Sequence, residues 1–308
     1  MSVRALSEIR KAVSNLNPKT IREMSDREPK IALYAATTDD YKAIEDFLLQ
    51  GLSHARRQIG LQALHRGPNP SGALNYDVAI YHESVLPPRR AFVFRSDKPD
   101  AVIREILNEH EADLGVALSR TFQPFRTEFV ANVIRRTSRE NALFSLATAL
   151  PDIIPSVLEI PWAMTEFASD TAVLTMNQIR MAFLIAAASD RQVGYRQQKN
   201  EIATVIGGAF GWRALARQVV GKIPFGGGLL PKAGIAYAAT KVVGLSLDRF
   251  YRVGYGYDRH EREELYTKAF EQGKSLAARL LQRLRPDLWE KFAPAQKHGA
   301  EQFESKLG

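Results

Sequence analysis

The 308-residue sequence contains no cysteine. That excludes disulfides, thiolate metal sites and a cysteine nucleophile together, and it fits a reducing compartment. Histidine is scarce. His54, His65, His82, His110, His260 and His298 never stand three or four residues apart, so no helical pair of histidine ligands exists. No metal and no other cofactor is expected. Apolar runs are short too. Asn141–Pro151, Met181–Ser189 and Ile202–Trp212 meet charged residues at their ends, well below the roughly 20 apolar residues of a spanning helix. No span is expected. The N-terminal MSVRALSEIRKAVSNL carries a charge every few residues and lacks the apolar core of a signal peptide. A cytoplasmic location is expected, with peripheral contact at the inner membrane left open.

What is present describes a globular chain. Apolar residues make up 45% and charged residues 25%, enough for a packed core. The net charge is +8, and residues 120–260 hold 17 Lys/Arg against 10 Asp/Glu, while residues 1–119 hold 16 of each. The basic excess points to an anionic partner: a membrane surface, a nucleic acid or an acidic protein. Arg135, Arg136, Arg139, Arg213 and Arg217 are the candidate contacts.

Hydrophobic periodicity divides the chain. Residues 1–15 place Val3, Leu6, Ile9 and Val13 at helical spacing. Lys30–Thr37 (KIALYAAT), Tyr76–Tyr81 (YDVAIY) and Ala91–Phe94 (AFVF) read as buried strands, the last two separated by a Pro87-Pro88 turn. Thr38-Asp39-Asp40 offers capping chemistry before a helix at Tyr41–Leu49, and a second helix is expected near Ala101–Asn108. The order strand, helix, strand, strand, helix suggests a small α/β domain with a partly parallel sheet. From about residue 112 only helical patterns remain: Phe125–Leu150, Trp162–Ser189, Asn200–Val220, Ala233–Tyr251 and residues 261–284. The expected fold is α+β or mostly α, with a small α/β domain over 1–111 and a multi-helix bundle over 112–308.

Two of these helices are rich in small residues. Gly207, Gly208 and Gly211 lie in one, and Gly234, Ala238 and Gly244 in the other. A mid-helix glycine costs ~1 kcal/mol relative to alanine, and close approach of two helix backbones would offset that. A tight hairpin of Asn200–Val220 with Ala233–Tyr251 is expected.

Catalytic motifs fail at the atoms that matter. Gly226–Ala233 (GGGLLPKA) has Pro231 in place of the second glycine of a phosphate loop and Ala233 in place of the hydroxyl. Gly273-Lys274-Ser275 carries the triplet, but Lys268 stands where the first glycine should be. Gly51-Leu52-Ser53-His54-Ala55 lacks the last glycine of a nucleophile elbow. Thr37 and Thr38 follow a strand, where a helix N-terminus would meet a ligand phosphate, but Asp39 and Asp40 would repel it. Thr37, Thr38 and Lys98 are the candidate ligand-binding residues; no catalytic residue is expected.

The proline-punctuated Pro151–Pro161, the helix with Asn177, Gln178 and Met181, and the loop Lys222-Ile223-Pro224 before the small-residue helix to Tyr251 form a pattern. Over roughly residues 125–255 it resembles a bacterial helical domain of unknown function. Members of that family follow Era-type small GTPase domains or occur in YcjF-like membrane proteins. The resemblance implies a GTPase-like or unrelated α/β domain before the helices. Lys30–Thr37 would then be its first strand, and Arg95-Ser96-Asp97-Lys98 would stand near the guanine-recognition position without matching its asparagine-lysine-x-aspartate pattern. The missing phosphate loop argues against hydrolysis.

The leading expectation is a non-enzymatic scaffold or adaptor, its helical domain engaging a membrane surface or a membrane-bound protein. The alternatives are a nucleotide-binding regulator with a divergent site and, more weakly, a nucleic-acid binder acting through Arg135–Arg139. A protein partner is expected ahead of nucleic acid, with homo-oligomerisation open.

Overall fold

The computed structural model describes residues 16–67, 75–149, 170–205, 229–284 and 286. Among these the fold is mostly helical with one small, wholly parallel four-stranded sheet. The described residues fall into two compact units. The first takes those within Asn17–Val133 and Phe183–Gln197, and the second takes the rest.

The first unit opens with α1 (Pro18–Asp26), started by Asn17, whose side chain accepts the Lys19 N–H. β1 (Ile31–Tyr34) follows, then α2 (Thr38–Leu48), α3 (His54–Ala63), β2 (Leu64–Arg66), β3 (Val78–His82), β4 (Phe92–Phe94) and α4 (Asp100–Thr121). The strand order is β2-β1-β3-β4. β1 pairs with β2 through Ile31 and Leu64, and with β3 through Ile31 and Val78. β4 extends β3, pairing Phe92 with Ile80. The Pro87-Pro88 segment is therefore not a hairpin turn. It belongs to a crossover that carries the chain back so that β4 runs parallel to β3. β2 and α3 were not expected, and α4 runs well past its expected end at Asn108.

Ile31, Leu33, Ile44, Leu48, Ile80 and Ile103 are almost completely buried in this unit, which explains why β1 is a continuous apolar run. α4 ends at Phe122, an extended residue. Pro124 has no N–H to continue the helical ladder, and Arg126 supplies donors instead: its Nε reaches the Ser119 carbonyl at 3.2 Å and its Nη2 the Arg120 carbonyl at 3.3 Å. α5 (Gln123–Ala147) begins there. Its residues up to Val133 belong to the first unit and the rest to the second.

The second unit contains most of α6 (Asp170–Ala188), α7 (Leu229–Val253) and α8 (Arg259–Leu284), and residues 199–205 are also helical. α7 starts earlier than expected. Leu229, Leu230, Pro231 and Lys232 form its first turn, not a loop, and proline is tolerated there because first-turn N–H groups have no helical partner. Thr171–Ala188 is long and apolar enough to cross a membrane by length and composition, with Arg180 its one charge, and 89% of it is buried inside the protein. The helix runs through Arg180 and so joins the short apolar run after it to the residues before it. The expected helix over 1–15, the Pro151–Pro161 connector and Gly207, Gly208 and Gly211 lie outside the described residues.

A polar knot lies inside this unit. Asn141, fully buried, donates to Thr240 Oγ1 at 2.8 Å and to the Leu174 carbonyl at 3.3 Å. Its Oδ1 accepts from Asn177 Nδ2 at 2.8 Å. Gln178 Nε2 donates to Thr240 Oγ1 at 3.1 Å. Three helices are thereby registered against one another. Each amide left unpaired in such a site would cost about 1–3 kcal/mol.

The small residues bring α7 and α8 together. A Cβ placed on Gly273 would lie 2.6 Å from Tyr237 Cβ and 2.9 Å from the Gly234 Cα. The two glycines face each other backbone to backbone. Ala238 is fully buried beside them, in a cluster with Ala142, Ala269, Ala277 and Leu281. A Cβ on Gly244 would meet Ile134 Cγ1 at 2.7 Å, so this glycine lets α7 approach α5. Among the described residues, Gly234 packs on α8; residues 206–220 of its expected partner lie outside them.

Candidate functional site

In an open parallel sheet, ligands bind beyond the carboxyl ends of the strands, where the chain's connections leave in opposite directions. Here that point lies between β1 and β3, because the chain passes from β1 toward β2 and from β3 toward β4. The residues flanking it are Thr37 and Asp40 after β1, and His82 and Ser84 at the end of β3.

They are bonded to one another. Thr37 caps α2: its Oγ1 accepts the Asp40 N–H, and Asp40 Oδ2 accepts the Thr37 N–H, both at 3.2 Å. This reciprocal pair satisfies two helix-terminal donors. The cap is Thr37, immediately before the expected capping segment Thr38-Asp39-Asp40. Ser84 Oγ donates to Asp40 Oδ2 at 2.8 Å and accepts the Ala36 N–H at 3.3 Å. His82 is buried at 6% exposure. Its Nδ1 lies 2.9 Å from Ser84 Oγ, accepts the Ser84 N–H at 3.1 Å, and stands 3.7 Å from Asp40 Oδ1. The Ser84 hydroxyl, followed by the Thr37 hydroxyl, holds the Asp40 carboxyl below the usual aspartate range.

Next along the sheet edge, Ser96 N–H donates to Glu83 Oε1 at 3.0 Å, and that bond holds the Glu83 carboxyl below its ordinary value. The loops after β1, β3 and β4 are thus tied by side chains.

The chemistry of this arrangement is specific. A phosphate entering at the α2 N-terminus would meet the carboxylates of Asp39 and Asp40, and the Thr37 and Asp40 N–H groups already have partners. Ser84 bridges His82 and Asp40. In a hydrolytic triad the histidine occupies the middle and withdraws the serine proton. The order here makes Ser84 a hydrogen-bond bridge.

Of the sequence candidates, Thr37 is a member of this network. Thr38 is exposed in the first turn of α2. Lys98 is exposed in the turn after β4, where its N–H donates to the Arg95 carbonyl at 3.1 Å. β3 separates that turn from β1, so the two candidate groups lie two strand spacings apart, about 10 Å; the structure does not bring them together. The sequence reading missed His82 and Ser84, considering His82 only as a metal ligand. The available signal was a polar His-Glu-Ser immediately after an apolar strand.

The basic candidates form a separate surface. Arg135, Arg136 and Arg139 are exposed on α5, and Arg136 lies 3.9 Å from Glu140. Burial pushes the Tyr237 hydroxyl pKa up, and Arg139 and Arg135 draw it partly back, which locates their charge beside α7. Arg213 and Arg217 lie outside the described residues. Among the described residues no cluster of three or more acidic or histidine side chains could hold a metal ion. Comparison with known protein families, curated proteins and solved structures finds no match to the chain.

Proposed function

We propose that this chain is a non-enzymatic scaffold or adaptor. Its helical part meets an anionic membrane surface or a membrane-bound protein, and its sheet-bearing part regulates that contact or binds a further protein. One observation carries the reading. At the position where an open parallel sheet takes a ligand, Thr37, Asp40, Ser84 and His82 bond to one another. The exposed Arg135, Arg136 and Arg139 and the basic excess of residues 120–260 support an anionic partner.

In this reading the fold is a small N-terminal α/β domain of degenerate GTPase-like type followed by a helical bundle. The small-residue segments 200–220 and 233–251 pair within that bundle as a hairpin. Co-sedimentation with anionic and neutral vesicles tests it. Pelleting with anionic vesicles, weakened by salt, is the expected result. Absence of pelleting with both removes the membrane version.

The strand order favours one second reading, a nucleotide-binding regulator, because the switch point between β1 and β3 is where such a sheet binds its ligand. Calorimetric titration with GTP, GDP and ATP, each with magnesium, separates the two. Flat titrations are expected for a scaffold, and a saturating heat with any of them favours the regulator.

A further inference from the structure

α7 is one-sided in charge. From Leu229 to Leu247 it carries Lys232 and Lys241 and neither Asp nor Glu. The stretch of α5 beside it, residues 134–147, carries Arg135, Arg136 and Arg139 against Glu140 alone. The two helices run antiparallel. Gly244 lies against Ile134, Thr240 bonds to Asn141, and Lys232 Nζ donates to Thr148 Oγ1 at 3.3 Å. That register sets Arg139 at the height of Lys241.

Tyr237 stands between these two cations. It lies one helical turn from Lys241 on the same side of α7, and it is only 8% exposed. Its ring centre is 5.7 Å from Lys241 Nζ, and its hydroxyl responds to the charges of Arg139 and Arg135. Its Cβ packs on Gly273 of α8, the residue after Gln272. Three helices of one unit therefore meet at this ring.

Two of the cations lack the partner that a protein interior normally supplies. Lys241 is half-buried, and among the described residues its hydrogen bond, at 2.6 Å, goes to the neutral Gln272 Oε1. Burial pushes its ammonium pKa down, and no carboxylate opposes that. Arg139 has no ion pair among the described residues; Arg136 is the arginine that approaches Glu140. A half-buried cation held only by neutral groups is stabilised by an incoming anion.

We infer that Arg139, Tyr237 and Lys241 form a binding site for a phosphate monoester. Such a group carries close to two negative charges and three acceptor oxygens. A guanidinium, a phenol and an ammonium meet it here, and Arg135 adds its charge. A carboxylate or a phosphodiester brings a single charge and leaves one of the two cations without a partner. The phenol stays protonated, because burial raises its pKa, and so it donates. The site deepens the scaffold reading by naming the anionic group, and it rests on the anionic partner which that reading gives to the helical part.

Inorganic phosphate titrated into the full-length protein, followed by tyrosine ring resonances with Tyr237 identified through Tyr237→Phe, should produce a saturable shift at Tyr237. Arg139→Gln and Lys241→Met should each weaken that binding about tenfold or more, as loss of a charged hydrogen bond does. Arg139 is exposed, so its replacement leaves the fold intact, and a thermal melt checks Lys241→Met. The control Lys42→Met/Arg104→Gln, which removes two exposed cations of the sheet-bearing unit, should bind phosphate like the unsubstituted protein. Phosphatidylcholine vesicles carrying phosphatidic acid or, at equal charge, phosphatidylglycerol distinguish the sources. A preference for phosphatidic acid that Arg139→Gln abolishes assigns the site to a lipid headgroup. Phosphate binding without that preference assigns it to a soluble phosphorylated compound. No saturable shift at Tyr237, or equal weakening by the control pair, overturns the inference; pelleting with anionic vesicles in that case leaves the scaffold reading standing. A saturable shift without pelleting on any vesicle keeps the site and removes the membrane version of that reading.

Discussion

Arg120 donates from Nε to Asp190 Oδ1 at 2.8 Å, across 70 residues of sequence. Its Nη1 also reaches the Ser25 carbonyl at 2.7 Å, at the end of α1. Arg56 pairs with the other Asp190 oxygen. Asp190 closes α6 in the left-handed conformation, φ 57°. Arg191 N–H bonds to the Ala186 carbonyl and Asp190 N–H to the Ala187 carbonyl, at 2.9 and 3.1 Å. Glycine is usual at this position of such a helix end. The two guanidiniums explain an aspartate there.

Asp190→Ala is expected to destabilise the protein by about 2–3 kcal/mol, since it removes charged hydrogen bonds and keeps a side chain at positive φ. Asp190→Gly loses the same bonds but relaxes the backbone, and should recover about 1 kcal/mol of that loss. Urea midpoints of the two variants give the comparison. Equal midpoints would mean that the backbone conformation contributes nothing.

Gly273→Ala puts a methyl group against Tyr237 Cβ and the Gly234 backbone. Neither is the flexible end of a long side chain, so α7 and α8 must separate. A loss of about 1–3 kcal/mol is expected despite alanine's better helix propensity. Gly256→Ala, in open space, should be neutral or stabilising by up to about 1 kcal/mol. Thermal melts of the pair test the close approach.

Asn141→Ala strands Asn177 Nδ2 and withdraws a donor from Thr240, both buried. The expected loss is about 2–4 kcal/mol, from one or two unsatisfied polar groups. Asn141→Ala combined with Asn177→Ala should cost less than the sum of the single changes, because the second removes the group left unpaired by the first. A double-mutant cycle on chemical unfolding reads that difference.

Asp40 carries a pH prediction. Its folded pKa lies below that of an unfolded aspartate, about 3.9, through Ser84 and Thr37. Its contribution to stability is therefore complete above the unfolded value and disappears as pH falls through the folded one. Asp40→Ala should be less stable than the unsubstituted protein near neutrality, and the two urea midpoints should converge in acid. Ser84→Ala, which removes the largest cause, should raise the Asp40 titration as followed by carboxyl NMR shifts.

What could be read from the sequence follows physical lines. Lys30–Thr37 announced β1 because both faces of a parallel strand are apolar. Leu64-His65-Arg66 gave no such signal: it is three residues long, two of them polar, and exists as a strand because Ile31–Leu33 pair with it. α3 was hidden because it buries almost nothing, leaving Ile59 and Leu61 exposed. The polar stretch Asn108–Asp113 masked the continuity of α4, whose Leu114–Ser119 are all buried. Thr38, Asp39 and Asp40 were legible as capping chemistry, a local property, although the cap itself is Thr37. The link from Asp40 to Ser84 spans 44 residues and depends on the strand order. Gly273 shows the same limit. In sequence it was an accidental member of a Gly-Lys-Ser triplet, and only α7 beside it gives it a purpose.

The sheet-bearing unit has a consequence for synthesis. It draws on Asn17–Val133 and on Phe183–Gln197, with Ile134–Ala182 of the other unit made in between. At about 5–20 residues per second the second segment leaves the ribosome seconds after the first. Through that interval Arg56 lacks the Asp190 carboxylate that will pair with it, and Arg120 has only Asp26 and Ser25 to hold it. The unit waits as a nascent intermediate for its clasp, and a chain truncated before Asp190 would remain in that state.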